Sequence, residues 1–252
     1  MNMGDSKSPL RALGFCGADD SVDPKMLGLI ASAYPSVEFG VLFRPDKEGS
    51  PRYASAAWVQ NFSQVILAAK IKAAAHLCGA RVNQVLDGDG AFLEQLLSWG
   101  FGRVQINATA VNGVDTSKLA EQAPHILELA NKFPKLEFIL QKNDETAPLW
   151  QAVLSSGVPS NVTMLVDESK GTGVAAKSWP SPPKEYEIGY AGGIGPSNID
   201  KVLTDVVTAA NGRSFWIDME SSLRSNKNGD DVFDLDKCFI VINATCSAGL
   251  MG

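Results

Sequence analysis

The sequence predicts a single-domain α/β protein, a (β/α)8 TIM barrel, and three observations carry that prediction. Eight short apolar runs alternate along the chain with longer amphipathic ones. Polar residues gather where each apolar run ends, the place where barrels of this kind keep their chemistry. At 252 residues the chain has the length usual for this architecture. Residues 1–9, MNMGDSKSP, are expected to form a disordered lead-in, and 10–252 the barrel.

The first predicted strand, ALGFCG (12–17), leads to the helical segment PKMLGLIASAY (24–34), which opens on a proline suited to a first helical turn. VEFGVLF (37–43) is followed by SAAWVQNFSQVILAAK (55–70), and KAAAHLCG (72–79) by AFLEQLLSWG (91–100). RVQIN (103–107) precedes SKLAEQAPHILELANKF (117–133), and LEFILQ (136–141) precedes TAPLWQAVLSS (146–156). After VTMLVD (162–167) comes GTGVAAKSWPSPPKE (171–185), too rich in glycine and proline for a good helix. EIGYAG (187–192) is paired with SNIDKVLTDVVTAA (197–210), and SFWIDME (214–220) with the closing helix LDKCFIVINATCSAG (235–249). The strands read as continuously apolar, as parallel strands covered on both faces do. The dinucleotide-binding version of a doubly wound sheet is disfavoured, because FCGADDSVDP (15–24) has one glycine and no GxGxxG.

Net charge is −6, and no cluster of five basic residues occurs, which argues against a nucleic-acid surface. No apolar span of 18 residues suggests a membrane helix, and no N-terminal run resembles a signal peptide. Four cysteines without a CxxC pair fit a reducing compartment, with the cytoplasm as the expected setting. The expected partner is a small phosphorylated molecule, not nucleic acid or membrane; the oligomeric state stays open.

The stretch YAGGIGPSN (190–198) places three glycines between a strand and a helix. Gly192, Gly193 and Gly195 would let a phosphate approach the backbone beside a helix N-terminus, with Pro196 in its first turn and Ser197 or Asn198 as its cap. A tight turn requiring positive φ is the structural alternative. Ser221 and Ser222 in DMESSLRS could add hydrogen bonds to such an anion, and Arg224 charge. Asp167 ends the sixth strand after an apolar run, where partial desolvation suits a general acid. Cys16 ends the first strand, where a thiol near helix N-termini can be poised as a thiolate base, although a lone cysteine is more often a small buried hydrophobe. Cys78, His76, Asn107 and Asp218 are further candidates for the pocket. Cys238 and Cys246 read as core. No metal and no cofactor are expected: of the two histidines, His125 sits in mid-helix and His76 in an apolar run. There is no GxSxG, and Lys72 only opens a strand, which disfavours Schiff-base chemistry.

Five segments, in order, resemble the phosphoribosylanthranilate isomerase family of the tryptophan pathway. They are FCGADD (15–20), SPRYAS (50–55), LVDESKGTGVAAKSW (165–179), AGGIGPSNI (191–199) and IDMESSLRS with the later FDLDKC (217–225, 233–238). The resemblance implies a cofactor-free Amadori rearrangement of a phosphorylated aldosamine to a ketosamine. It implies Cys16 as general base, Asp167 as general acid, Arg52 on the substrate carboxylate, and phosphate at Gly192–Gly193 and Ser221–Ser222. The chain departs from the family pattern at Asn107, which stands where a histidine is usual, at Ser222 in place of glycine and at Arg224 in place of glutamate. Extra residues, RPDKEG, precede SPRY, so the aromatic end of the implied pocket is the altered part.

Overall fold

A computed structural model of the chain describes residues 8–167 and 178–251. Eight parallel strands close into a barrel: β1 (Leu10–Cys16), β2 (Val37–Phe43), β3 (Lys72–Leu77), β4 (Arg103–Ile106), β5 (Glu137–Lys142), β6 (Val162–Val166), β7 (Ile188–Tyr190) and β8 (Phe215–Met219). Each pairs with its sequence neighbour, and β8 closes on β1 with Gly14 opposite Asp218 and Phe15 opposite Met219. Around them lie α1 (Pro24–Ala33), α2 (Ala56–Ala69), α3 (Ala80–Leu86), α4 (Ala91–Ser98), α5 (Leu119–Lys132), α6 (Ala147–Ser155), α7 (Ile199–Ala210) and α8 (Leu235–Ser247). Each of the eight expected strands and seven expected helices is present.

Helix starts follow local chemistry. Asp23 accepts a hydrogen bond from the Lys25 amide and places Pro24 in the first turn of α1; Ser55 caps α2 through the Trp58 amide at 3.2 Å. The start of α7 differs from expectation. It begins at Ile199, so Pro196 and Ser197 lie in the loop, and the Asn198 side chain turns back to the glycines instead of capping the helix.

Two elements go beyond the expected set. Helix α3 fills the stretch after β3. A hairpin, β9 (Arg224–Lys227) and β10 (Asp230–Phe233), follows β8. Its two-residue turn, Asn228–Gly229, has both φ positive, at 59° and 98°, the turn that Asn-Gly favours. Residues 8 and 9, expected within the lead-in, are tied to the barrel: Ser8 Oγ donates to the Leu250 carbonyl at 2.8 Å, and the Pro9 carbonyl accepts from the Phe215 amide at 2.9 Å. Residues 1–7 of that lead-in lie outside the described residues.

The strands are not uniformly apolar. Their outward residues, such as Phe15, Phe39, Val41, Val104, Phe138, Met164, Tyr190 and Ile217, pack with the helices in one continuous core. Their inward residues alternate with these at period two and mix an apolar cluster of Ala12, Ile139, Leu165, Ala191 and Trp216 with many polar side chains. Glu38, His76, Arg103, Gln105, Gln141, Thr163 and Asp218 all lie buried inside the barrel. At its lower end the Arg103 guanidinium meets Glu38 at 2.6 Å and Glu137 at 3.0 Å, and Thr163 Oγ1 donates to Glu137. Burial pushes the Glu137 carboxyl up, but Arg103 and Arg11 outweigh it and hold the group at about 2. Arg11 and Arg103 lie 4.6 and 4.4 Å from the centre of the Trp216 ring. That ring fits only because its strand neighbour is Gly189, where a Cβ would come within 2.1 Å of it.

Candidate active site

The mouth of the barrel at the C-terminal strand ends holds a cavity of about 580 Å³, lined by residues from most of the strands and from the loops that follow them. A cavity of about 740 Å³ at the opposite end is lined by Arg11, Glu137, Glu187 and loop residues. Its central charges are already consumed by the Arg11–Glu137 and Arg11–Glu187 pairs, at 2.5 and 3.1 Å, and barrel chemistry sits at the other face. The mouth is therefore the candidate site.

Strand glycines make room for it. Gly14 on β1 faces Asp218 on β8, and a Cβ at Gly14 would come within 2.3 Å of the Asp218 carboxylate. Gly40 on β2 does the same for His76, with a Cβ 2.9 Å from its Nε2. Both large polar groups thus occupy volume vacated by a neighbouring strand.

The acidic side of the cavity consists of Asp167, Asp218 and Glu220. Asp167 ends β6, is buried, and accepts a hydrogen bond from Gln141 Nε2 at 3.1 Å. Burial, with Glu38 and Glu220 nearby, raises the Asp218 carboxyl well above the carboxylate range. Glu220 is also raised, by burial and less so by Asp167, while Arg52 and Arg224 pull it down. Its side chain keeps 37% of its surface exposed, so desolvation weighs less on it than on Asp218.

Cys16 lies at the same rim but beneath the lining, fully buried with Leu42 and Cys78. Burial, then Glu220 and Asp218, raises its thiol well above the ordinary value, so it rests protonated and not as the low-pKa thiolate expected from helix N-termini. Cys78 accepts from Asn107 Nδ2 at 3.4 Å, and burial pushes its thiol to about 11. Asn107 in turn accepts from Gln105 Nε2 at 2.7 Å. Burial and then Arg103 drive His76 down to about 3, so the imidazole is neutral. Cys238 is buried as core and Cys246 is partly buried against it.

The glycine loop faces the cavity with Gly192, Gly193 and Ile194. Gly192 and Gly193 have φ of 100° and 63°, which side chains disfavour. Among the described residues the N–H groups of Gly192, Gly193 and Ile194 have no hydrogen-bond acceptor. Gly195 differs. Its amide is taken by Asn198 Oδ1 at 2.9 Å, and a Cβ there would strike Ser222 at 2.4 Å, so its role is to seat that serine. Ser222 Oγ donates to the Ile194 carbonyl at 2.6 Å, joining the two loops, and Ser221 Oγ accepts from Arg52 at 3.0 Å.

Arg52 lines the cavity from the loop after β2. It has φ 77°, and its guanidinium is shared between Ser221, Asp231 at 3.3 Å and Glu220 at 3.6 Å. Arg44 and Lys47 lie on the same side. Arg224 does not reach the cavity. Its side chain is 2% exposed and locked on Asp19 and Asp231, both at 2.8 Å, and on the Gly17 carbonyl. The resemblance segment after Asp167, residues 168–177, lies outside the described residues, whereas Trp179 packs edge-on against Tyr190 in the helix layer. Among the described residues no group of three or more His, Cys, Asp or Glu is placed to hold a metal ion, and no helix is long and apolar enough to cross a membrane.

Gln105 belongs to the lining without standing in any motif, and Tyr53 joins it from within SPRYAS, where nothing singles it out. The signal for Gln105 is the alternation within RVQIN, where every second residue is polar and faces inward.

No family model matches the chain, and no curated protein does. Among solved structures it is similar to D-psicose 3-epimerase from Clostridium cellulolyticum H10, at 11% identity and TM-score 0.50, over 94% of this chain and 97% of that one. It is also similar to a truncated 3-deoxy-D-arabino-heptulosonate 7-phosphate synthase from Thermotoga maritima, at 8% identity and TM-score 0.54, over 99% and 92% of the two chains. At such identities the likeness is one of fold: the chain is a TIM barrel.

Proposed function

We propose that the protein is a cofactor-independent isomerase of a phosphorylated sugar or sugar amine, working by proton transfer at the mouth of the barrel. The observation that carries this reading is the pairing, across one cavity, of unpartnered amides at 192–194 with the acidic cluster of Asp167, Asp218 and Glu220. Backbone N–H groups lining a concavity suit a phosphate, and the nearby Arg44, Lys47 and Arg52 add positive potential. The resemblance to phosphoribosylanthranilate isomerase supports the same division of labour.

In this scheme the phosphate sits at Gly192–Gly193 and Ser221–Ser222 and fixes the chain of the sugar. Asp167, as general acid, delivers a proton to the ring oxygen as the ring opens. The proton on C2 then leaves towards the Cys16 side. Because the Cys16 thiol starts protonated, it must first yield its own proton. Asp218, its carboxyl raised by burial well above the carboxylate range, is already protonated. That leaves Glu220, raised by burial but pulled down by Arg52 and Arg224, as the neighbouring base. Reprotonation at C1 completes the aldose–ketose shift with no net change of oxidation. Each transfer group contributes on the order of 10²–10⁴-fold.

The test is solvent exchange. The protein is incubated in D2O with ribose 5-phosphate, alone and with an amine donor, and C2 deuterium is followed by mass spectrometry. Deuterium incorporation is expected, and Asp167→Asn should abolish it while inorganic phosphate affinity stays within about tenfold. Phosphate binding without exchange in any mixture would overturn the isomerase reading in favour of a barrel that only binds a phosphometabolite. Equal loss of exchange and affinity would make Asp167 structural.

A further inference from the structure

The inner half of the cavity tells what the phosphate is attached to. Below the glycine loop the lining consists of His76, Gln105, Asn107, Gln141 and Asp218, all buried. Among the described residues Gln141 Oε1 is a buried acceptor without a donor, and the neutral imidazole of His76 lines the same floor. Leaving such an acceptor unsatisfied costs roughly 1–3 kcal/mol, so a site that keeps it is shaped for a ligand that donates to it. Gly14 and Gly40 have given up their side chains to place Asp218 and His76 there.

This floor is a poor seat for an aromatic ring. Among the described lining residues the one aromatic side chain is Tyr53, high in the loop after β2, and the Lys47 ammonium stands 5.4 Å from the centre of its ring. A carboxylate carried to the floor would meet Asp167 and Asp218. Neutral groups able both to donate and to accept suit it: hydroxyls can give to Gln141 Oε1 and His76 and take from Gln105 or a protonated Asp218. Leu165 and Ala191 supply a small apolar flank for the C–H face of such a chain.

Resting on the phosphosugar reading above, we propose that the native ligand is an open-chain phosphorylated polyol or ketose without an aromatic substituent, its hydroxyls bound by His76, Gln105, Gln141 and Asp218. The dissociation constants of three probes test this by calorimetry: inorganic phosphate, ribitol 5-phosphate, and ribitol 5-phosphate bearing an N-(2-carboxyphenyl)amino group at C1. Ribitol 5-phosphate should bind at least about tenfold tighter than phosphate, as two or three net hydrogen bonds imply, and the aryl derivative no tighter than ribitol 5-phosphate. Gln141→Leu and, separately, His76→Phe should each erase most of that gain while phosphate affinity is kept, with folding checked by circular dichroism. Equal affinity for phosphate and ribitol 5-phosphate overturns the proposal while leaving the anion site intact. An aryl derivative tenfold tighter overturns it in favour of an aromatic substrate. Failure of all three probes removes the phosphosugar reading itself.

Discussion

At Gly14 the absence of one methyl group decides whether the site exists. A Cβ there would stand 2.3 Å from Asp218 Oδ1 and 3.2 Å from the Ile217 carbonyl, inside van der Waals contact with both. Gly14→Ala is therefore expected to cost about 1–3 kcal/mol, measured by urea unfolding, and to reduce C2 exchange by displacing the carboxylate. Gly102→Ala is the control: a Cβ there meets nothing within 4 Å, and its effect should be neutral or slightly stabilising. At this scale the sequence was partly legible. Asp167 and Gly192–Gly193 stand out because a polar or glycine residue interrupts an apolar run. Cys16 was legible as a strand end with two readings, a thiolate base or a small buried hydrophobe, and the choice between them depends on Leu42 and Cys78 from other strands. Gly195 was legible as a glycine of the loop, but its reason, Ser222, comes from 27 positions further on and so leaves no local mark.

Among the elements, the hairpin β9–β10 ties the mouth together through Arg224. The guanidinium joins the loop after β1, at Gly17 and Asp19, to Asp231 on β10, and Asp19 also accepts from the Arg52 amide at 2.6 Å. Arg224→Met leaves the buried Asp19 carboxylate without its main cation and is expected to destabilise by about 3–5 kcal/mol, again read from urea midpoints. A loss below 1 kcal/mol would show that the network contributes little. None of this was legible from DMESSLRS alone, since the partners of Arg224 are about 205 positions away in Asp19 and seven away in Asp231. The hairpin did leave a local signal, Asn-Gly between two short runs. Helix α3 left almost none, being seven residues long and directly followed by α4. The strands were found through their outward apolar residues. The inward polar alternates, which build the site, are masked in strands such as KAAAHLCG by alanine and leucine on both faces.

Across the whole molecule, the polar interior couples stability to pH through groups of opposite sign. His76 is held near 3 in the fold against an ordinary 6.5, so below 6.5 the unfolded chain takes up a proton that the native chain refuses. The His76 contribution to stability falls as pH drops from 6.5 towards 3, by at most about 1.4 kcal/mol per pH unit. Glu137, held near 2 against 4.5, adds a loss of the same sign as pH falls below 4.5. Asp218 works oppositely: its raised carboxyl stabilises fully below 3.8, and that contribution fades as pH rises. His76→Gln is expected to remove the His76 contribution, so that relative to the parent the variant gains stability on acidification from pH 6.5 to 4.5, by at most about 1.4 kcal/mol per pH unit, measured as urea midpoints against pH. An unchanged slope there would mean that His76 is protonated in the fold.

The stack of Arg11, Trp216 and Arg103 with Glu38 and Glu137 also has a kinetic meaning. It stoppers the lower end, so the lumen is a cup and not a tunnel. Under the proposed function, whatever is converted inside must leave through the doorway by which its precursor arrived, and one turnover has to clear that doorway before the next can begin.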